Sequence, residues 1–458
     1  MSGDIPLVRE GQTKISATTP HIVLDVSRLL ASGGKMAPSG IDRVEFAYAR
    51  RWAGLPASRC TFVAGTPAGG WSVLPHAAVV ELVVALSAAW SGQLEGEPGP
   101  EAQAAKRLAG RLRLRTTLGL GVGSLRSVLN RPGPKAFLLV SHRALERQGP
   151  IRALRARGCA FVPLIHDLIP ATHPEYARPG QSGRHLRRIA TTAALADGVI
   201  ANSLDTANVL APHLRARALP PPVLVAPLGI EPPAPIPGPP VRQEPYFITI
   251  GTIEPRKNHL LLLHLWRDLV RVYGAETPRL LIVGRRGWEN ENIVDILDRS
   301  AVLRGTVHEL GQLPDRRVSD LLRGARALLF PSFVEGYGLP LAEALALGVP
   351  AICSDLPALR EVGGTVPDYL DPLDGAGWRE LVLDYAQPDS PARAAQLSRL
   401  EGWHAPGWDD HFRRVDALLA RVTGCETPGG AARQAKPPEH DLHESILTNA
   451  LVSDRTAT

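Results

Sequence analysis

Residues 327–364 read ALLFPSFVEGYGLPLAEALALGVPAICSDLPALREVGG, and the order of residue types fixes a strand, a loop, a helix and a second strand. Ala327 to Pro331 is a short apolar run of the kind buried on both faces of a parallel sheet. Ser332 to Leu339 holds two glycines, an aromatic ring and a carboxylate, so it reads as a loop. Pro340 suits the first helical turn, where a missing N–H removes nothing, and Gly348 suits the position past the helix end. Val349 to Cys353 is the next apolar run, so the connection is a crossover between parallel strands. Glu335 in the loop and Glu343, expected in the first helical turn, are spaced E-x7-E.

In an open α/β sheet, ligands bind outside the carboxyl ends of the strands, where this loop lies. Gly336 and Gly338 let backbone approach a ligand without Cβ atoms in the way. The following helix points its free N–H groups and positive end at the same place, which favours phosphate. Carboxylates beside a phosphate site suit the paired hydroxyls of a sugar or ribose, so the parts together suggest a sugar nucleotide. The simpler alternative is that Glu343 complements the helix dipole and Glu335 is solvated. The run E335-G-Y-G-L-P-L-A-E343-A, with G348-V-P, S354-D-x-P and E361-V-G-G after it, resembles the donor-site signature of retaining glycosyltransferase family 4. That resemblance implies an α/β protein of GT-B fold: two Rossmann-like domains facing each other across a cleft, with a C-terminal helix packing back on the first.

Upstream, Tyr246 to Ile250 is a strand, followed by G251-T-I-E-P-R256-K257-N-H and an apolar helix over 260–272. Two adjacent cations at a strand-to-helix turn suit a diphosphate, arginine bidentately and lysine as a point charge. The helix dipole disfavours cations there, which points to a bound anion. The stretch also matches the family pattern, where the arginine and lysine hold the donor diphosphate. The strands over 280–283 and 307–311 end at Gly284 and Leu310-Gly311, exits expected to face the nucleoside.

The remainder divides at a proline-dense stretch. Residues 1–20 are polar and expected to be disordered, 21–230 form the N-terminal, acceptor-side domain, and 231–243, EPPAPIPGPPVRQ, form a stiff linker. Residues 244–400 form the nucleotide-sugar-binding domain, 401–423 a crossover helix and 424–458 a disordered tail. In the first domain the strand His21 to Val26 leads into S32-G-G-K-M-A-P-S-G40-I-D-R and a helix over 41–52. Ser39, Gly40 and Arg43 match the family's glycine loop near donor phosphate and acceptor; a plain strand–helix turn is the alternative. The strand Phe161 to Ile165 delivers His166 to the crevice, where the family has a histidine near the donor sugar. Residues 53–135 are hard to read beyond a Gly/Pro/Glu loop over 92–100. Lys106 to Leu129 is basic with leucines at partly helical spacing, either a peripheral membrane surface or an ordinary helix with a solvated arginine face.

Composition agrees with a globular protein: 44% hydrophobic and 21% charged residues over 458 positions, enough for two cores. A net charge of +6 suits phosphorylated ligands or an acidic membrane surface, with nucleic acid not expected. Four scattered cysteines fit a reducing compartment, and the N-terminus lacks a signal-type apolar core, so the expected place is the cytoplasm or the inner face of the cell membrane.

The resemblance implies transfer of a hexose, with mannose preferred, from a nucleoside-diphosphate donor to a glycan or lipid-linked acceptor in bacterial surface polysaccharide synthesis. Catalytic roles fall to Glu335, His166, Arg256 and Lys257. Donor contacts fall to Gly40, Gly251, Arg256, Lys257, Gly284, Leu310, Gly336, Tyr337, Gly338, Leu339 and Glu343. No Asp-x-Asp occurs, so neither metal nor cofactor is expected. An epimerase, a phosphorylase or a non-catalytic nucleotide-sugar-binding protein on the same fold are the alternatives.

Overall fold

Runs of three to seven residues that are mostly apolar alternate with helices, a pattern that forces crossovers and hence parallel strands. In the computed structural model, which describes residues 19–35, 37–92, 99–233 and 245–425, these runs build two sheets. The first contains β1 (His21–Asp25), β2 (Cys60–Gly65), β3 (Trp71–Val73), β4 (Lys135–Leu139), β5 (Cys159–Ile165), β6 (Val199–Ala201) and β7 (Val223–Val225). Their order is β3-β2-β1-β4-β5-β6-β7, and only β3 runs antiparallel to its neighbour. The second contains β8 (Tyr246–Ile250), β9 (Arg279–Val283), β10 (Val307–Gly311), β11 (Leu328–Phe330), β12 (Ala351–Ser354) and β13 (Asp368–Leu370). These are all parallel, in the order β10-β9-β8-β11-β12-β13. Both sheets have the 3-2-1-4-5-6 winding of a Rossmann domain. In each the order reverses beside its first strand, opening the crevice where ligands bind.

The two domains share apolar packing. One buried cluster takes Leu24, Tyr48 and Leu138 from the first and Tyr337, Leu341 and Leu345 from the second. The last helix, Trp408–Thr423, returns to the first domain, as the GT-B expectation requires. Its Phe412 ring lies 5.1 Å from Tyr48 and 5.6 Å from Trp52. His411 bonds the Tyr48 hydroxyl at 2.8 Å and the Pro227 carbonyl at 2.9 Å, tying the helix to the exit of β7.

The stretch that was hard to read, 53–135, contains β2, β3 and the helices His76–Gly92, Pro100–Thr117 and Val122–Leu129. The first of these buries Val79, Leu82 and Leu86 in the core, which explains its nearly uniform apolarity. Among the described residues no helix is long and apolar enough to cross a membrane. The N-terminal segment, most of the proline-dense linker and the C-terminal tail lie outside the described residues, apart from positions 19–20, 231–233 and 424–425.

Candidate functional site

Two glycines open the site in the second domain. Gly251 ends β8 and Gly284 ends β9, both at φ 152°. A Cβ on Gly284 would fall 1.9 Å from the Gly251 carbonyl oxygen, so only glycine allows the two strand ends to come this close. The Gly284 N–H donates to the Gly311 carbonyl at 2.8 Å, and Leu310 is half-buried in β10 against the core. These contacts align the exits of β8, β9 and β10.

Past Gly251 the chain makes a short 3-10 turn, Pro255–Lys257, and Asn258 at φ 54° swings it into the helix His259–Tyr273. Arg256 and Lys257 therefore precede a helix start, as read from the sequence. Their counter-charge in the structure comes from carboxylates. Lys257 Nζ donates to Glu335 Oε1 at 2.5 Å, Arg256 Nη1 meets Glu335 Oε2 at 3.0 Å, and Arg256 Nε meets Glu254 Oε1 at 2.5 Å. Glu335 and Glu254 thus supply counter-charge at the dipole position that in the sequence pointed to a bound anion. Burial alone would raise the Glu335 carboxyl, but Arg256 and then Lys257 outweigh it and hold it down at about 2. Glu254 is shifted the other way, mainly by burial. Two cations and two carboxylates give a group with little net charge before any ligand arrives. The Lys257 ammonium also lies 4.6 Å over the Phe330 ring at the end of β11.

The loop after β11 is gripped by the first domain. Gly338 adopts φ 105° as the residue before the helix Leu339–Ala346, and Gly348 adopts φ 75° beyond its end. Ser203 and Thr206 hydroxyls donate to the Gly336 carbonyl at 2.8 and 3.2 Å. A Cβ on Gly336 would lie 2.5 Å from the His166 carbonyl oxygen, so this glycine permits close approach of the two domains. The Tyr337 ring is buried, its hydroxyl donating to the Leu228 carbonyl at 3.0 Å, which leaves only its backbone for a ligand. Glu343 falls in the second helical turn, one turn later than the sequence suggested, because the helix begins at Leu339. It faces Arg43 and Asp315, and its carboxyl is raised, chiefly by burial.

Across the cleft, Gly40 is the first residue of the helix Gly40–Ala53, and a Cβ there would touch Leu339 Cδ1 at 3.0 Å. Arg43 forms a two-pronged ion pair with Asp315 at 2.6 and 2.7 Å, joining helices from the two domains. The buried Asp42 orders the glycine loop. It closes a capping box with Ser39, pairs with Arg28 and Lys35 at 2.6 Å each, and accepts from the Ser32 hydroxyl. A cavity of about 240 Å³ opens among Arg43, Phe46, Asp315, Leu339, Glu343 and Trp408. His166 is buried, with Nε2 on the Val140 carbonyl at 2.8 Å and its ring edge-on to His142 at 5.3 Å. Burial keeps it well below the usual histidine range and therefore neutral. At the end of β1, Asp25 accepts from the Ser27 hydroxyl at 2.5 Å and Glu45 from the Leu29 N–H at 2.6 Å. Each keeps one buried oxygen without a partner; both carboxyls are raised, chiefly by burial, and that of Glu45 also by the neighbouring Asp25.

Glu335, Arg256, Lys257, Gly251 and Gly284 thus gather at the ends of β8, β9 and β11. Gly336 and His166 meet at the interface, and Gly40 and Leu339 touch across the cleft. Sequence reading assigned no role to Asp315, nor to Asp42, Glu254 and Glu361, which appear only within the quoted motifs; the Glu361 carboxylate accepts the Leu204 N–H at 2.7 Å from the other domain. The spacing S39-x-x-D42 is a capping-box signal that would have exposed Asp42. Nothing local marks the Arg43–Asp315 pair.

Residues 237–364 match the family described as glycosyl transferases group 1. O-antigen chain mannosyltransferase B of Escherichia coli is 37% identical over 145 residues, 32% of this chain and 38% of that protein. Serotype-specific mannosyltransferase WbdA of Escherichia coli is 29% identical over 241 residues, 49% of this chain and 29% of that protein. The matched regions thus span well under half the length of these relatives. The structure of sucrose-phosphate synthase from Thermosynechococcus elongatus is similar at a TM-score of 0.57 and 16% identity, over 88% of this chain and 99% of that one. Anabaena HepE in complex with UDP is similar at a TM-score of 0.57 and 13% identity, over 88% and 100%. At such identities the likeness is one of fold, and that fold is GT-B.

Proposed function

We propose, from a chain whose residues 237–364 match glycosyl transferases group 1, that this is a retaining, metal-independent hexosyltransferase. It moves a sugar from a nucleoside-diphosphate donor to a hydroxyl of a glycan or lipid-linked acceptor. Mannose is the sugar favoured by the names of the Escherichia coli relatives, as is a role in bacterial surface polysaccharide synthesis. The acceptor is then met in the cytoplasm, at the inner face of the cell membrane.

The observation that carries this reading is the cluster of Arg256 and Lys257 with Glu335 and Glu254 at the strand ends beside the cleft. Negative charge grows on the departing diphosphate, and fixed cations in a buried site stabilise that growth without reorganising. Glu335 holds them in place. Each of its oxygens accepts one bond from a cation and keeps a lone pair for a sugar hydroxyl. A carboxylate held at about 2 by two cations is a poor nucleophile, which supports departure and attack on one face of the sugar. Glu343 binds the ribose diol, the Gly336 to Leu339 backbone lies along the sugar and phosphate, and Gly40 and neutral His166 approach from the other domain. Arg256 and Lys257 take the part that a metal ion plays in other diphosphate sites. Among the described residues no group of three or more His, Cys, Asp or Glu side chains could hold such an ion.

The test is transfer in excess EDTA from mannose and glucose donors of guanosine, uridine and adenosine diphosphate to glycan and lipid-linked acceptors. The new linkage is read by NMR. The expected product keeps the anomeric configuration of the donor. Inversion, dependence on added metal, or an isomerised sugar nucleotide without transfer would each contradict the proposal.

A further inference from the structure

The helix Pro100–Thr117 has two opposite faces with opposite uses. Ala105, Ala109, Leu112 and Thr116 are buried and pack it onto the first domain. At 100° per residue, the stripe half a turn away carries Arg107, Arg111, Leu114 and Leu118. Leu114 is 60% exposed and Leu118 64%; Leu120 and Val122, just past the helix end, are 49% exposed. Four large apolar side chains within nine positions thus project into solvent at one tip, a concentration that marks an interaction surface. Arg111, Arg113 and Arg126, on this helix and the next, are exposed as well. No acidic residue occurs between Glu101 and Glu146, while nine lysines and arginines do. Among the described residues, no carboxylate pairs with Arg107, Arg111 or Arg113.

An exposed apolar tip on a segment that carries exposed arginines and no acidic residue matches one kind of surface, a bilayer rich in anionic lipid. Leucines enter the acyl boundary, while arginine stems lie along it and keep their guanidinium groups at the phosphates. We propose that residues 107–126 form a peripheral membrane-docking surface for anionic lipid, with Leu114, Leu118, Leu120 and Val122 inserted. The position suits the site. A Cβ on Gly33 of the glycine loop would meet Ala109 Cβ at 2.4 Å, so the same helix is packed against the loop that lines the cleft. Helix rise places Leu114 and Leu118 roughly 8–20 Å along from Ala109 and Ala105, so a bilayer touched by the tip lies near the cleft. This deepens the reading of a lipid-linked acceptor. Vesicle binding needs neither donor nor acceptor, whereas the transfer test includes soluble glycans, so either idea can fail alone.

The experiment is co-sedimentation of the full chain with phosphatidylcholine vesicles, with and without phosphatidylglycerol, over a salt series, beside light scattering of the lipid-free protein. The wild type is expected to bind the anionic vesicles at low salt, to bind neutral ones weakly, and to dissociate as salt rises. Leu118→Ser with Leu120→Ser should weaken binding by at least about tenfold. Arg111→Glu with Arg113→Glu should abolish the anionic preference. All four positions are exposed, so the melting midpoints should not move. No binding by the wild type at low salt, or undiminished binding by the leucine variant, would overturn the proposal. So would a lipid-free dimer lost in that variant, which would make the tip an interface between copies of this chain.

Discussion

Asp25 and Glu45 show how far a single residue's surroundings decide its behaviour. Each is almost fully buried, keeps one oxygen without a partner, and repels the other. Burial raises both carboxyls, so the native pair retains a proton at pH values where the unfolded chain has already lost it. The native state then binds more protons than the unfolded one, and stability from this pair falls as pH rises above the ordinary carboxylate range. Glu45→Gln keeps an acceptor for the Leu29 N–H and removes one of the two charges. The melting midpoint of this variant relative to wild type should therefore move in the variant's favour between about pH 5 and about pH 8. A midpoint difference that stays constant, or that moves in the wild type's favour as pH rises, would show that burial does not raise these carboxyls. None of this was visible in the sequence, where Asp25 and Glu45 are twenty positions apart on a strand end and a helix. Glu335 and Glu343 were visible because one loop and one helix carry both. What the sequence could not supply was that Glu335 is held by Lys257 and Arg256, 78 positions or so upstream.

Elements were legible where burial is two-sided. β8, β9, β11 and β12 appear as largely apolar runs because helices cover both faces of a parallel sheet, and their observed bounds differ from the expected ones by at most two residues, whereas β13, which reads DYL, was not recognised as a strand. β2 and β3 escaped notice because β3 is a three-residue edge strand and β2 reads CTFVAG, which small and polar residues dilute. Two glycines illustrate opposite element-scale demands. Gly284→Ala must push the Gly251 carbonyl from a backbone angle that disfavours side chains, and should destabilise by more than about 1 kcal/mol. Gly110 lies inside the helix Pro100–Thr117 with nothing within 4 Å of a new Cβ, so Gly110→Ala should stabilise by about 0.5–1 kcal/mol. Urea titration of both variants reads the difference as opposite shifts in midpoint. A Gly284→Ala midpoint that does not fall would mean the strand-end packing is less strict than described, and a Gly110→Ala midpoint that does not rise would mean the helix needs its glycine there.

At the scale of the whole molecule, the two domains are joined by interactions no local pattern announces. Arg43 pairs with Asp315 across 272 positions, Glu361 caps the helix that starts at Leu204, and Ser203 holds the Gly336 carbonyl. These contacts bring the first domain onto the loop that bears Glu335. Each sheet reverses its strand order beside its first strand; two α/β domains were implied by the rhythm of strands and helices and by the proline-dense boundary, and the cleft between them by the family resemblance. By the proposed function, this cleft binds a nucleoside diphosphate through Arg256 and Lys257. Titration calorimetry of the full chain with UDP, GDP and ADP, and with uridine, guanosine and adenosine, tests it most directly. One diphosphate should bind far more tightly than its nucleoside. Arg256→Ala should then weaken that diphosphate about 10- to 150-fold, as expected for one charge-assisted hydrogen bond, and leave the nucleoside unchanged. Wild-type protein that binds none of the diphosphates, or binds a nucleoside as tightly as its diphosphate, would contradict the account.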